Sequence, residues 1–181
     1  RKRKRDCEEK KRKEREEKKN DVWRKKEEEK RKKRDYEEKK RLRQKIGVLF
    51  QGSALFDFAT VIENVMFPME FFTDWSKAQR IERAKYCLEK VNVIGSDDKY
   101  PNELSGGMQK RVGIARAIAL NPSYLFCDEP NSGLDPYTSI LIDQLISDLT
   151  KKFNMTTVVN THDMNSILEI GDKSFSLCHH S

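Results

Sequence analysis

The 181-residue chain carries 37 Lys+Arg against 30 Asp+Glu, a net charge of +7, and that charge is unevenly laid out: residues 1–45 hold 25 of the basic and 13 of the acidic residues, a net of +12, while residues 46–181 are mildly acidic at −5. Four scattered cysteines (Cys7, Cys87, Cys127 and Cys178) with no C-x-x-C argue against a disulfide framework or a zinc site and fit free thiols in a reducing cytosol. No apolar run reaches the roughly 18 residues of a membrane span, and the basic start lacks the apolar stretch of a secretory signal, so a membrane role is expected only through a partner.

No glycine occurs before Gly47 and no proline before Pro68, so nothing interrupts a helix over residues 1–45. Acid-to-base pairs at i,i+4 are dense there, among them Glu8–Arg12, Glu14–Lys18, Glu28–Lys32 and Glu37–Arg41. Each contributes about 0.2–0.5 kcal/mol, enough in sum to support a helix with no core. Before Leu42 the apolar residues are only Cys7, Val22, Trp23 and Tyr36, which gives no coiled-coil seam. Two readings remain: a solvated charged helix or disordered tract, or a basic arm for RNA or anionic lipid. The interleaved acids and the lack of a stacking pattern weigh against the arm, and nucleic acid is not expected as a partner.

From Ile46 the pattern changes. Ile46–Phe50 (IGVLF) reads as a short buried strand ending at Gln51. Thr60–Phe72 reads as a helix closed by Pro68. Ser76–Val91 is a second helix, with Ser76 as N-cap and Ile81, Ala84, Leu88 and Val91 on one face. A loop follows over 90–101. Ser105–Leu120 is a helix with Met108, Val112, Ala115 and Ala119 along one ridge, stopped by Asn121-Pro122. Tyr124–Cys127 (YLFC) is an apolar strand running into Asp128-Glu129-Pro130. Pro136–Lys152 is a helix with Leu141, Leu145 and Leu149 in register. Thr156–Asn160 is a strand leading to Thr161-His162-Asp163, Met164–Ile170 a short helix, and Ser174–Leu177 the start of a last strand. Strands alternating with helices predict an α/β parallel sheet. In such sheets ligands bind at the C-terminal strand ends, where Gln51, Asp128-Glu129 and His162 stand.

The residue types at those ends suit phosphate chemistry. An acid directly after a buried strand, here Asp128, is placed to grip a Mg²⁺ that bridges phosphates, and Gln51 can reach the metal or its water. Glu129 can orient and polarise an attacking water, and His162 can contact a γ-phosphate or the water beside it. Within LSGGMQ, Ser105 caps a helix whose first amides, Gly106 and Gly107, face outward with the positive end of the helix dipole. Asp135, in SGLDP, can be a helix cap and nothing more.

Taken together, these segments resemble the ATP-binding subunit of an ABC transporter. LSGGMQKR resembles the family signature, YLFCDEP the Walker B strand with its catalytic glutamate, SGLDP the D-loop, THD the switch-histidine loop and VLFQ the Q-loop, all in the family's order. The resemblance implies a partial P-loop NTPase core with a helical subdomain at about residues 60–120. It implies ATP and Mg²⁺ as ligands, with Glu129 and His162 catalytic, Asp128 and Gln51 at the metal, and Gln51, Ser105, Gly106, Gly107, Gln109 and Asp135 at nucleotide. It also implies a second ATPase subunit, a transmembrane permease, and a place on the cytoplasmic face of the cell membrane. Two longer segments, GVLFQGSALFDFATVIENVMFP and YPNELSGGMQKRVGIARAIALNP, resemble the ATPase of Mla-type phospholipid transporters. Residues 54–72 would then lie where a permease coupling helix docks.

One family element has no counterpart. The family opens with a strand, the loop G-x-x-x-x-G-K-[ST] and a helix; here no glycine precedes Gly47, and GDKS at 171–174 has the wrong spacing. After FSL the sequence ends as CHHS, so the expectation is a fragment or fusion of an ABC ATPase gene. Three functions follow: an ABC ATPase whose own hydrolysis is weak or absent, a non-catalytic module lending its signature to a partner's nucleotide, or a nucleic-acid-associated ABC protein carried by the basic arm.

Overall fold

A computed structural model of the chain describes residues 2–163; the expected helix 164–170 and strand 174–177 lie outside them. The first element, α1, is a single helix over Lys2–Gln44, and the chain divides into one unit ending at Leu42 and another beginning at Arg43. Along α1, Glu28 meets Lys32 at 2.9 Å as the i,i+4 spacing predicts. Asp21 and Glu27 reach i+3 partners instead, Arg24 at 2.8 Å and Lys30 at 3.3 Å. Trp23 and Tyr36 are exposed.

The second unit runs β1 (Ile46–Leu49), α2 (Val61–Phe72), α3 (Lys77–Lys90), a 3-10 turn (Pro101–Glu103), α4 (Gly106–Ala117), β2 (Tyr124–Asp128), α5 (Pro136–Lys152) and β3 (Thr156–Asn160). The strands form one parallel sheet in the order β1-β2-β3, with Val48 opposite Phe126 and Phe126 opposite Val158. Parallel pairing of all three brings their C-terminal ends to one edge of the sheet.

Local chemistry explains the helix starts. Thr60 and Ser76 each form a capping box, with Glu63 and Gln79 respectively. Asp135 caps α5. The ends are closed by arginines: Arg83 donates to the carbonyls of Ile118 and Ala119 after α4, and Arg111 to that of Val91 after α3. Buried Asn64 organises the loop before α2, accepting from the Phe56 N–H at 2.7 Å and donating to the carbonyls of Phe56, Ala59 and Thr60.

Three expectations are corrected. Pro68 does not close its helix: α2 continues one turn past it to Phe72. An internal proline costs about 3 kcal/mol, but Val61, Val65, Met66 and Met69 are all buried on this helix, each contributing up to about 1.5–3 kcal/mol. In α5 the buried stripe is Ile142, Leu145, Ile146 and Leu149, and Leu141 lies at its margin. The strands are not buried on both faces. Leu49, Leu125 and Cys127 face the core, with Val112, Ile114, Ile118 and Ile146 in the same cluster. Ile46, Val48, Tyr124, Phe126 and Val158 lie on the opposite face and are exposed.

Candidate functional site

Each strand delivers polar groups to the common edge, two of them from β2. β2 ends in Asp128, and the chain turns at once at Glu129, whose φ of 45° is left-handed. That turn is held by the Glu129 N–H donating to the Asn160 carbonyl of β3 at 2.9 Å. It aims the Glu129 carboxylate at the residue after β3: Oε1 lies 2.8 Å from His162 Nδ1 and accepts from the His162 N–H at 3.1 Å. The hydrogen bond to Glu129, and then its charge, raise the His162 pKa above the ordinary histidine value. Glu129 is largely covered while the His162 ring is exposed. Asp128 stays exposed, one oxygen accepting from Asn160 Nδ2 at 2.8 Å. Gln51, after β1, donates through Nε2 to Ser132 Oγ at 3.2 Å. Predicted residues Gln51, Asp128, Glu129 and His162 therefore share one sheet edge, as the strand-end reading required.

The donors also fit a hard cation. The Asp128 carboxylate and the Gln51 amide carbonyl are oxygen ligands, the type Mg²⁺ selects, and that ion commonly takes only one or two protein ligands beside phosphates and water. Among the described residues no cluster of three His, Cys, Asp or Glu forms a protein-only metal site.

The signature segment opens α4. Ser105 is the N-cap of α4, its Oγ accepting from the Met108 N–H at 3.3 Å. Ser105 and Gly106 are exposed, so the first amides of the helix are open to an anion. Gly107 has a packing reason: a Cβ there would stand 2.8 Å from Thr138 Cγ2, so the first turns of α4 and α5 meet only because it is glycine. Gln109 turns its amide back onto the carbonyls of Pro101 and Leu104, at 3.0 and 3.3 Å. Asp135 commits both carboxylate oxygens to Thr138, at 3.0 and 2.6 Å, and these bonds hold its pKa below the ordinary value. Gln109 and Asp135 thus shape the loops around the site.

Two cations escaped the sequence reading. Lys110 is buried, and its ammonium donates to the carbonyls of Gln51 and Glu129. Arg116 donates to the carbonyls of Ser53 and Ala54, at 2.6 and 2.7 Å. Their signal was faint: both lie at three-residue spacing from Gly113, on the face of α4 that a glycine leaves open to a close neighbour.

Comparison with known proteins agrees with this arrangement. A family model described as "ABC transporter" matches residues 12–132. The methionine import ATP-binding protein MetN of Carboxydothermus hydrogenoformans is 47% identical over 132 residues, 73% of this chain and 39% of the relative. That of Bacillus subtilis is 42% identical over 131 residues, 72% of this chain and 38% of the relative. The chain thus spans about two fifths of the length of the curated relatives it matches. Among solved structures, the dimeric ATP-binding cassette MJ0796 in a post-hydrolysis state bound to ADP and Pi superposes with a TM-score of 0.64 at 40% identity, covering 73% of this chain and 58% of that one. The cbiO1 protein from Clostridium perfringens, part of the ABC transporter complex cbiONQ, does so with a TM-score of 0.64 at 31% identity, covering 70% and 51%. The family model covers residues 12–132, and the superposed cassettes share the parallel-sheet core: the chain belongs to the ABC transporter family and has the α/β fold of its ATPases.

Proposed function

We propose that this chain is the ATP-binding component of an ABC importer for a small amino-acid substrate of methionine's kind, working as one of two cassettes beneath a permease at the cytoplasmic face of a membrane. The substrate class follows the relatives, which are named as methionine import ATP-binding proteins. The phospholipid reading of residues 47–68 and 100–122 gives way to it, because no such name accompanies those matches. No described helix is long and apolar enough to cross a membrane. Residues 60–120 serve as the helical subdomain in this reading, and residues 1–45 as a separate extension.

The Glu129–His162 pair at the sheet edge, with Asp128 beside it, carries the proposal. In the proposed reaction Glu129 orients a water for attack, and His162, whose exposed ring is held by Glu129, faces the transferred phosphoryl group. Asp128 and Gln51 would hold Mg²⁺, which when bound neutralises charge on the phosphates. Ser105 and the amides of Gly106 and Gly107 serve a phosphate presented by a second cassette. The 181 residues contain no G-x-x-x-x-G-K-[ST] loop, so the signature face is the part of the site this chain supplies most completely.

The test mixes the chain with a full-length cassette ATPase whose own signature serine has been replaced. Restored ATP hydrolysis, lost again with Gly106→Asp in the chain described here, is the expected result. No restoration at any ratio of the two proteins would refute the signature role.

A further inference from the structure

The turn after β1 is held in a conformation its own residues disfavour. Ser53 and Ala54 are consecutive and both left-handed, with φ of 61° and 46°. L-residues with a Cβ rarely adopt that region, and the glycine of the turn, Gly52, is not one of the two left-handed positions. Within the turn one backbone bond is made, the Ser53 N–H donating to the Phe50 carbonyl at 2.8 Å.

What over-determines the turn is α4. The Arg116 guanidinium forks onto the carbonyls of the two left-handed residues, Nη2 to Ser53 at 2.6 Å and Nη1 to Ala54 at 2.7 Å, and lies 5.7 Å from the centre of the Phe56 ring. One turn earlier, Gly113 lets the helix come close: a Cβ there would lie 3.2 Å from Ser53 Cβ and 2.9 Å from Leu49 Cδ1. One turn earlier again, Lys110 bridges the Gln51 and Glu129 carbonyls. Lys110, Gly113 and Arg116 recur every three residues, so one stripe of the helix that begins at Ser105 grips both the β1 turn and the backbone of Glu129.

We propose that Lys110 and Arg116 are positioning residues that hold the 51–54 turn in its left-handed form, and with it Gln51 and the backbone of Glu129. The functional weight of this rests on reading Gln51 and Glu129 as nucleotide-site residues; its test reads the turn itself and needs neither nucleotide nor activity. Geometry favours a brace over a general structural role, because among the described residues the guanidinium's hydrogen bonds go to the carbonyls of the two left-handed residues, with the Phe56 ring beside it. The two cations divide the work, Arg116 fixing the strained pair and Lys110 tying the turn to the end of β2.

The experiment is amide hydrogen exchange by NMR on the full 181-residue chain, with thermal unfolding to report on the fold. In Arg116→Met, exchange at the Ser53 amide is expected to rise about tenfold or more, and adding Ala54→Gly, which removes the Cβ penalty, should return it to within about threefold of the parent. Arg116→Lys keeps the charge but loses the fork and should fall between; if Arg116→Met does not fold, Arg116→Lys with and without Ala54→Gly carries the test. In Lys110→Met, exchange should rise at Ser53 and at Ser132, whose N–H donates to the Glu129 carbonyl at 3.1 Å. Unchanged Ser53 exchange in a folded Arg116 variant, or a rise that Ala54→Gly does not reverse, would overturn the Arg116 role. Unchanged Ser53 and Ser132 exchange in Lys110→Met would overturn that of Lys110.

Discussion

Replacing Asn64 by leucine should cost this protein a large share of its stability, although the number and branching of the side-chain heavy atoms are kept. The side chain is fully buried. Its Oδ1 accepts from the Phe56 N–H at 2.7 Å, and its Nδ2 donates to the carbonyls of Phe56, Ala59 and Thr60 at 3.0–3.1 Å. An amide has two hydrogens, so the three acceptors share two donated bonds, making three bonds in all. At about 1 kcal/mol net each, with a further penalty of about 1–3 kcal/mol for the stranded Phe56 N–H, the expected loss is about 4–6 kcal/mol. Urea unfolding followed by the fluorescence of Trp75, in a Trp23→Phe background, measures it, with the slope against denaturant unchanged. Because the loop carries Phe56 and Phe58, its exchange protection should fall along with the global stability. A loss below about 1 kcal/mol would mean that water satisfies these backbone groups and that Asn64 does not organise the loop.

Gly107→Ala should destabilise the contact between the starts of α4 and α5 by about 1–3 kcal/mol, and Thr138→Ser, which removes the offending Cγ2 but keeps the hydroxyl bonded to Asp135, should recover most of that loss in a double-mutant cycle. The His162 pKa, read by NMR titration, should drop towards the ordinary histidine value in Glu129→Gln. The sign follows from the raised native pKa: attraction to Glu129 favours the folded state fully below the unfolded pKa and is lost as pH rises through the native one. Burial pushes the thiol of Cys87 up to about 11 and that of Cys127 to about 12, so neither should be alkylated at pH 8 in the folded protein, and both should react once urea unfolds it, as peptide mass spectrometry will report.

The strands were legible because each is a short apolar run stopped by a polar group, and that same punctuation exposed Gln51, Asp128, Glu129 and His162. Caps at Ser76, Ser105 and Asp135 were equally local signals. What escaped is long-range. A proline breaks a helix only if burial does not outweigh it, and Pro68 sits among residues whose packing does. A single lysine within a helix reads as surface, so Lys110 carried no mark of its partners 59 and 19 residues away. Ser53 and Ala54 gave no hint of a left-handed turn, since that conformation is imposed by Arg116, more than 60 residues further on. Leu141 failed because a 17-residue helix drifts around its axis, and the neighbour it faces decides which stripe is covered.

The row of Val48, Phe126 and Val158 across three strands is flanked by Ile46 and Tyr124, all turned to solvent. Water ordered over so broad an oily plate is a standing incentive to stick. Refolding yield should therefore fall as the protein is concentrated, and a polarity-sensitive dye should light up on the native state. Handling conditions that suit a client of chaperones will suit this chain as well.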